Sequence, residues 1–106
     1  MRRTRGPARR LQGLREEAER LREKAAVLDE QVAYVASVAE EARTRALVSS
    51  TPLADREARD AEEDLRRAQA QRDEARARLD EIAGEQDLLL ERMLDGRPSP
   101  GGGGPQ

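Results

Sequence analysis

The spacing of small and aliphatic residues constrains this chain most, because they recur at alternating intervals of three and four residues through two long segments. Such a repeat places its members along one stripe of a helix and is typical of the a and d positions of a coiled coil. The first series comprises Leu11, Leu14, Ala18, Leu21, Ala25, Leu28, Val32, Val35, Ala39, Ala42 and Ala46. The second comprises Ala54, Ala58, Ala61, Leu65, Ala68, Arg72, Ala75, Leu79, Ile82, Gln86, Leu89 and Met93. We therefore predict two long helices, each with one apolar seam.

A turn is predicted between the two series, because the second starts one residue later than a continuation of the first would require. The segment Ser49-Ser50-Thr51-Pro52 lies at this point. Pro52 disfavours helix at the residue before it and suits the first position of a new helix, which the Thr51 hydroxyl can cap. Asp55 and Glu57 would then lie near the positive end of that helix dipole. We predict helices over about 11–48 and 53–94, joined by a turn at 49–52.

The two seams fit a single antiparallel register, in which the numbers of facing residues add up to 100. Ala46 then faces Ala54, Leu11 faces Leu89, and the seam residues between them form further layers, eleven in all. Short connections join antiparallel neighbours. The predicted fold is therefore all-α, a two-helix antiparallel coiled-coil hairpin.

The same register predicts which charges flank the seam. The favourable pairs would be Arg43 with Asp55 and Arg45 with Glu57, and the like-charge pairs would be Arg22 with Arg76 and Lys24 with Arg78. Gly13 and Gly84 lie near the open end, where glycine weakens a helix by about 1 kcal/mol relative to alanine. We expect that end to fray.

The composition excludes most catalytic chemistry. The chain has no His, Cys, Trp or Phe, and so it offers no imidazole base, thiol nucleophile, Cys/His zinc site or disulfide. No phosphate-binding glycine loop, HExxH or GxSxG pattern occurs. Six carboxylates precede an arginine by four residues, as on a solvated helix face. We predict a protein that is not an enzyme and that has no cofactor, metal site or small-molecule substrate.

Membrane insertion and secretion are likewise not predicted. The longest uncharged stretch within the predicted helices, residues 31–39, has nine residues, whereas a membrane-spanning helix needs about 18 or more apolar residues. No apolar segment of the kind found in secretion signals follows the basic start of the chain. A cytoplasmic location is the expectation. The strong preference for Arg over Lys is typical of a GC-rich, bacterial genome.

One stripe outside the seam is a candidate face for self-association or for a partner protein: Val27, Gln31, Tyr34 and Val38. Its alternative interpretation is a widened edge of the core. Small scaffolds often offset a limited core by forming oligomers. We therefore predict a structural or adaptor protein that mediates protein–protein interaction, as a homodimer or with another helical protein.

The termini suggest an alternative function. Residues 1–24 carry a net charge of +5 and the remainder carries −7. Residues 1–10 are predicted to form a flexible basic arm whose candidate phosphate contacts are Arg2, Arg3, Arg5, Arg9 and Arg10. Such an arm would bind nucleic acid or the ribosome through charge, without base stacking, since no aromatic residue is interleaved. A disordered solubilising start is the other interpretation. The Gly/Pro-rich residues 95–106 are predicted to be a disordered tail.

The predicted tip of the hairpin comprises Thr51, Pro52, Asp55 and Glu57. Through Pro52, Asp55, Arg56 and Ala58, the segment 51–58 resembles the coiled-coil tip of DksA-type transcription factors. The resemblance implies a remote alternative, an RNA polymerase-binding hairpin that acts through its acidic tip. The chain departs from that family because it lacks the zinc-binding cysteines and the spacing of the second tip acid. Helix capping suffices to account for both acidic residues.

Overall fold

The structure, a computed structural model, describes the backbone of residues 2–95 and the side chains of residues 6–95. Helix α1 spans Arg2–Ser49 and helix α2 spans Pro52–Asp95, with Ser50 and Thr51 between them. The two helices pack against each other along their length, and no strand occurs in the described range. The predicted all-α antiparallel hairpin is confirmed.

The bounds of the helices differ from the predicted ones mainly at the start of the chain. Helix α1 begins at Arg2 rather than near residue 11, so it includes most of the segment predicted to be a flexible arm. Pro7 lies inside α1, where its missing amide hydrogen removes one hydrogen bond of the helix. The predicted tail lies outside the described residues from residue 96 onward.

Packing follows the predicted register. Every seam residue from Leu11 to Leu89 is buried or half-buried. Three clusters make up the core, and each contains facing residues whose numbers add up to 100, such as Ala18 with Ile82, Ala25 with Ala75 and Ala39 with Ala61. The layers inferred from spacing are therefore neighbours in space.

The open end is the best-buried part of the seam, rather than a frayed one. Leu14 and Ile82 are each only 1% exposed there, in a cluster with Ala18 and Leu89. Large aliphatic side chains bury more apolar area than the alanine layers near the tip, and this burial offsets the low helix propensity of the two glycines.

The middle of the seam is less well covered. Between the cluster of Ala25, Leu28 and Ala75 and the cluster of Ala39, Ala42 and Ala61 no seam residue is fully buried. The half-buried residues of this stretch are Val32, Val35, Leu65, Ala68 and Arg72. A two-helix layer leaves these side chains open to solvent on at least one side.

The turn is built as its residues predict. Ser50 adopts a left-handed conformation, with φ of 53°, and its amide donates to the carbonyl of Ala46 at 2.9 Å. This is the hydrogen bond of an αL helix end. The Thr51 hydroxyl accepts from the amide of Ala54 at 3.1 Å and so caps α2, whose first residue is Pro52.

Among the described side chains, four interhelical ion pairs flank the seam: Arg10 with Glu85, Glu17 with Arg78, Asp29 with Arg76, and Arg43 with Glu62. The flanking pairs predicted for three of these arginines were wrong, and in each case the observed partner lies one heptad from the predicted one. Residues seven apart share a stripe, so a long arginine side chain can reach past a like charge to an acid. Arg76 binds Asp29 instead of meeting Arg22, and Arg78 binds Glu17 instead of meeting Lys24.

Arg72 occupies a seam position, and its guanidinium lies at the edge of the seam. Its side chain is 22% exposed, and its guanidinium contacts the Asp73 carboxylate at 3.0 Å. The aliphatic stem therefore lies largely within the seam while the charge stays at its edge.

Candidate self-association face

The hairpin has two broad faces, one on each side of the seam, and grooves between its helices open onto one of them. We define the groove face as the side formed by the g and c positions of both helices, which carries the pairs Glu17–Arg78 and Arg10–Glu85. One groove lies near the middle, and its lining is Val27, Glu30, Gln31, Tyr34, Val35 and Ala68. A second is lined by Lys24, Gln71 and Glu74 together with seam residues, and a third lies beside Leu88 near the open end. This face is therefore apolar and concave where the seam is least covered.

The predicted stripe lies on the groove face, but its four residues do not share one environment. Val27 is 54% exposed and Tyr34 is 71% exposed, and Gln31 is exposed between them. Val38 is half-buried and packs against the core cluster nearest the tip. The widened-core interpretation therefore describes Val38, whereas Val27 and Tyr34 present apolar surface to solvent.

Three further apolar residues on the groove face were missed by the sequence analysis. Val48 and Leu53, on either side of the turn, are 81% and 66% exposed, and Leu88 near the open end is 57% exposed. The sequence does contain the signal, since all three occupy c positions, the same as Val27 and Tyr34. The apolar part of the groove face thus extends from the tip to the open end in separate patches.

The opposite face carries fewer large apolar residues. Leu47 near the tip is 76% exposed, and Leu90 and Leu94 near the open end are 48% and 59% exposed. Its middle is formed by small or charged residues, among them Ala33 and the ion pair of Asp29 with Arg76. Between the two ends, exposed large apolar side chains are therefore confined to the groove face.

The Glu17–Arg78 pair is the most fully engaged polar contact between the helices. The Arg78 Nε and Nη2 atoms donate to the two Glu17 carboxylate oxygens at 2.9 and 3.0 Å, and Nη1 donates to Glu81 at 3.1 Å. The hydrogen bond from Arg78 holds the pKa of the Glu17 carboxyl below its ordinary value, and the same bond raises the pKa of Arg78. Both side chains are about one-third exposed, at 36% and 32%. The two hydrogen bonds between Arg78 and Glu17 connect the helices at the edge of the groove face.

Two of the five arginines of the predicted phosphate-contacting arm, Arg9 and Arg10, have described side chains. The side chains of Arg2, Arg3 and Arg5 lie outside the described residues. Arg9 is exposed, and Arg10 contacts Glu85 of α2 at 3.3 Å. Of the two described arginines, one is therefore engaged in holding the hairpin together.

The predicted tip residues form the helix cap. Thr51, Pro52, Asp55 and Glu57 are all exposed. The Thr51 carbonyl accepts from the amide of Asp55 at 3.0 Å, and Asp55 lies in the first turn of α2. A carboxylate at this position interacts favourably with the helix dipole.

Among the described residues, no group of three or more acidic side chains is arranged to hold a metal ion. Neither α1 nor α2, within 2–95, is apolar enough over a sufficient length to cross a membrane.

Comparisons of the chain with protein-family models, with curated proteins and with solved structures found no match.

Proposed function

We propose that this chain is a non-enzymatic structural or adaptor protein that self-associates as a homodimer through the groove face. The observation that carries the proposal is the coincidence of two features at mid-hairpin. The seam there is only half-buried, at Val35 and Ala68, and the groove above it is bordered by the exposed side chains of Val27 and Tyr34. A second copy laid on this groove would complete the burial of the seam.

The area of the face is sufficient for a stable dimer. The paired seam spans residues 11–46 of α1, which at about 1.5 Å per residue gives a length of about 55 Å. Two helices, each about 10 Å wide, then offer about 1,100 Å² on one face. Specific interfaces take about 800 Å² from each partner. A face-to-face dimer therefore needs no segment beyond the two helices.

Thermal unfolding at two protein concentrations, differing by about 100-fold, tests this function. When folding and dimerisation are coupled, the melting temperature rises with protein concentration. We expect the wild-type chain to show this rise and the double variant Val27→Ser/Tyr34→Ser to lose it. The matched control, Leu47→Ser/Leu94→Ser, removes two exposed apolar side chains from the opposite face and should keep the concentration dependence.

Two outcomes would contradict the proposal. A wild-type melting temperature that does not change with concentration would mean that the groove face serves some other helical protein or no partner. Equal effects of the two double variants would mean that association, if present, does not use this face in particular.

A further inference from the structure

Charge on the groove face is divided between the two helices. At its g and c positions from residue 6 onward, α1 carries four basic residues (Arg10, Arg20, Lys24 and Arg45) and two acidic ones (Glu17 and Glu41), a net charge of +2. The corresponding positions of α2 carry seven acidic residues and three basic ones, a net charge of −4. The acidic residues of α2 on this face are Glu57, Asp60, Asp64, Glu74, Glu81, Glu85 and Asp95. The face therefore has a basic edge and an acidic edge.

The opposite face shows no such division. Among the side chains described, from residue 6 onward, its e and b positions carry three basic and three acidic residues on α1, and three basic and five acidic residues on α2. Over these residues, neither of its helices is basic on balance. The division of charge is therefore a property of the face that also holds the grooves and the mid-hairpin apolar residues.

Resting on the self-association proposed above, we infer that two copies stack groove face to groove face with their tips at the same end. A two-fold axis along the hairpin then places α1 of one copy on α2 of the other. The basic edge of each copy meets the acidic edge of its partner. With the tips at opposite ends, α1 would lie on α1 and α2 on α2, so that each edge would meet its own charge sign. Like charges that face each other across an interface disfavour an arrangement.

At three positions the facing residues fit this arrangement, whereas at others, such as Glu41 opposite Asp60 of the partner subunit, like charges face each other. Under the same two-fold axis, residues at equal height on α1 and on the partner's α2 have numbers that add up to about 100, as they do within one hairpin. Val48 then meets Leu53 of the partner subunit, so that two patches exposed in the single hairpin cover each other. Arg20 meets Glu81 of the partner subunit. Tyr34 meets Arg67 of the partner subunit, where a guanidinium can stack on an aromatic ring.

Spin labels at two sites on α1 distinguish the two arrangements. The chain has no cysteine, so Glu16→Cys and Thr44→Cys each provide a single attachment site. Both residues are exposed and occupy f positions, away from both broad faces. In the stack with tips together, the two labels of a dimer lie at the same height whichever site is used. We expect similar distances at both sites by pulsed electron paramagnetic resonance, about 30 Å or less, set by the width of a four-helix arrangement.

The opposed arrangement predicts a different pair of distances. The two sites are separated by 28 residues, or about 42 Å along α1. In any stack with the tips at opposite ends, the axial separations at the two sites add up to at least about 84 Å, so at least one distance is about 40 Å or more. A dimeric protein with such a distance would overturn the inference and leave the self-association intact.

Two controls distinguish a failure of this inference from a failure of the proposed self-association. The labelled chain carrying Val27→Ser/Tyr34→Ser should lose the short distances, whereas the labelled chain carrying Leu47→Ser/Leu94→Ser should keep them. Short distances retained in the first of these variants would overturn the inference, because the dimer would then use another face. A labelled chain that is monomeric by sedimentation equilibrium would overturn both the proposed self-association and the arrangement.

Discussion

At the scale of single residues, the turn shows how a few side chains decide where this chain reverses. Ser50 has φ of 53°, a conformation that costs an L-residue with a side chain about 1–2 kcal/mol and glycine very little. The carbonyl of Ala46 and the hydroxyl of Thr51 nevertheless hold the two helix ends on either side of it. The backbone strain at Ser50 is therefore offset by the hydrogen bond with which the next residue, Thr51, caps α2.

Ser50→Gly should stabilise the hairpin by about 0.5–1 kcal/mol, because relief of the left-handed strain exceeds the extra entropy of glycine in the unfolded chain. Urea unfolding monitored by circular dichroism, at a fixed protein concentration, measures the change. Ser49→Gly is the matched control, since Ser49 is the last residue of α1 and gains nothing from glycine. A Ser50→Gly chain no more stable than wild type would contradict this account of the turn.

At the scale of the two helices, packing of small and aliphatic layers brings α1 and α2 together, and ion pairs flank them. The pairing of Glu17 with Arg78 is the one for which the protonation state matters most, because two parallel hydrogen bonds depend on an ionised carboxylate. The pKa of Glu17 is lower in the folded chain than its ordinary value. Its contribution to stability is therefore complete above that ordinary value and is lost as the pH falls through the lowered pKa.

Glu17→Gln should lower the free energy of unfolding at about pH 7, and the difference from wild type should shrink as the pH is lowered towards about 3. Urea titrations at the two pH values measure this difference. Glu19→Gln serves as the control, because Glu19 is an exposed acid on the same helix outside the interhelical pairs. If the free energy of unfolding of the Glu17→Gln chain equals that of wild type at both pH values, the Glu17–Arg78 pair contributes no pH-dependent stability.

Much of the arrangement of the helices could be predicted from sequence, and the reasons are local. The a and d spacing fixes which residues face inward, and Pro52 with Thr51 fixes where α2 begins, so the register and the turn followed directly. The flanking ion pairs could not be predicted, because a long side chain such as that of Arg78 can reach any of several facing residues that lie one heptad apart on the other helix. The start of α1 also did not follow, since Gly6 and Pro7 disfavour helix locally yet lie within it.

The candidate face was predicted only in part, for a similar reason. Val27 and Tyr34 stand out in the sequence because they are large apolar residues outside the seam and lie seven residues apart, on one stripe of the helix. Val48, Leu53 and Leu88 lie far apart along the chain, and only the doubling back of the helices places them on one side. Whether an apolar residue next to the seam is buried, as Val38 partly is, depends on the size of its neighbours across the interface.

At the scale of the whole molecule, the hairpin is a single two-helix layer whose core is incomplete at its centre. Three buried clusters are separated by a stretch in which Val32, Val35 and Leu65 stay half-exposed. A layer of this kind gains stability by laying that stretch against another apolar surface. The groove face offers this surface on the chain itself, with charges that complement those of a second copy.

Sedimentation equilibrium of the wild-type chain at tens of micromolar tests the self-association most directly. The chain has a mass of 11.8 kDa, and the account predicts a measured mass of twice that value, falling towards the single-chain mass on dilution. A mass of 11.8 kDa throughout the concentration range would contradict it.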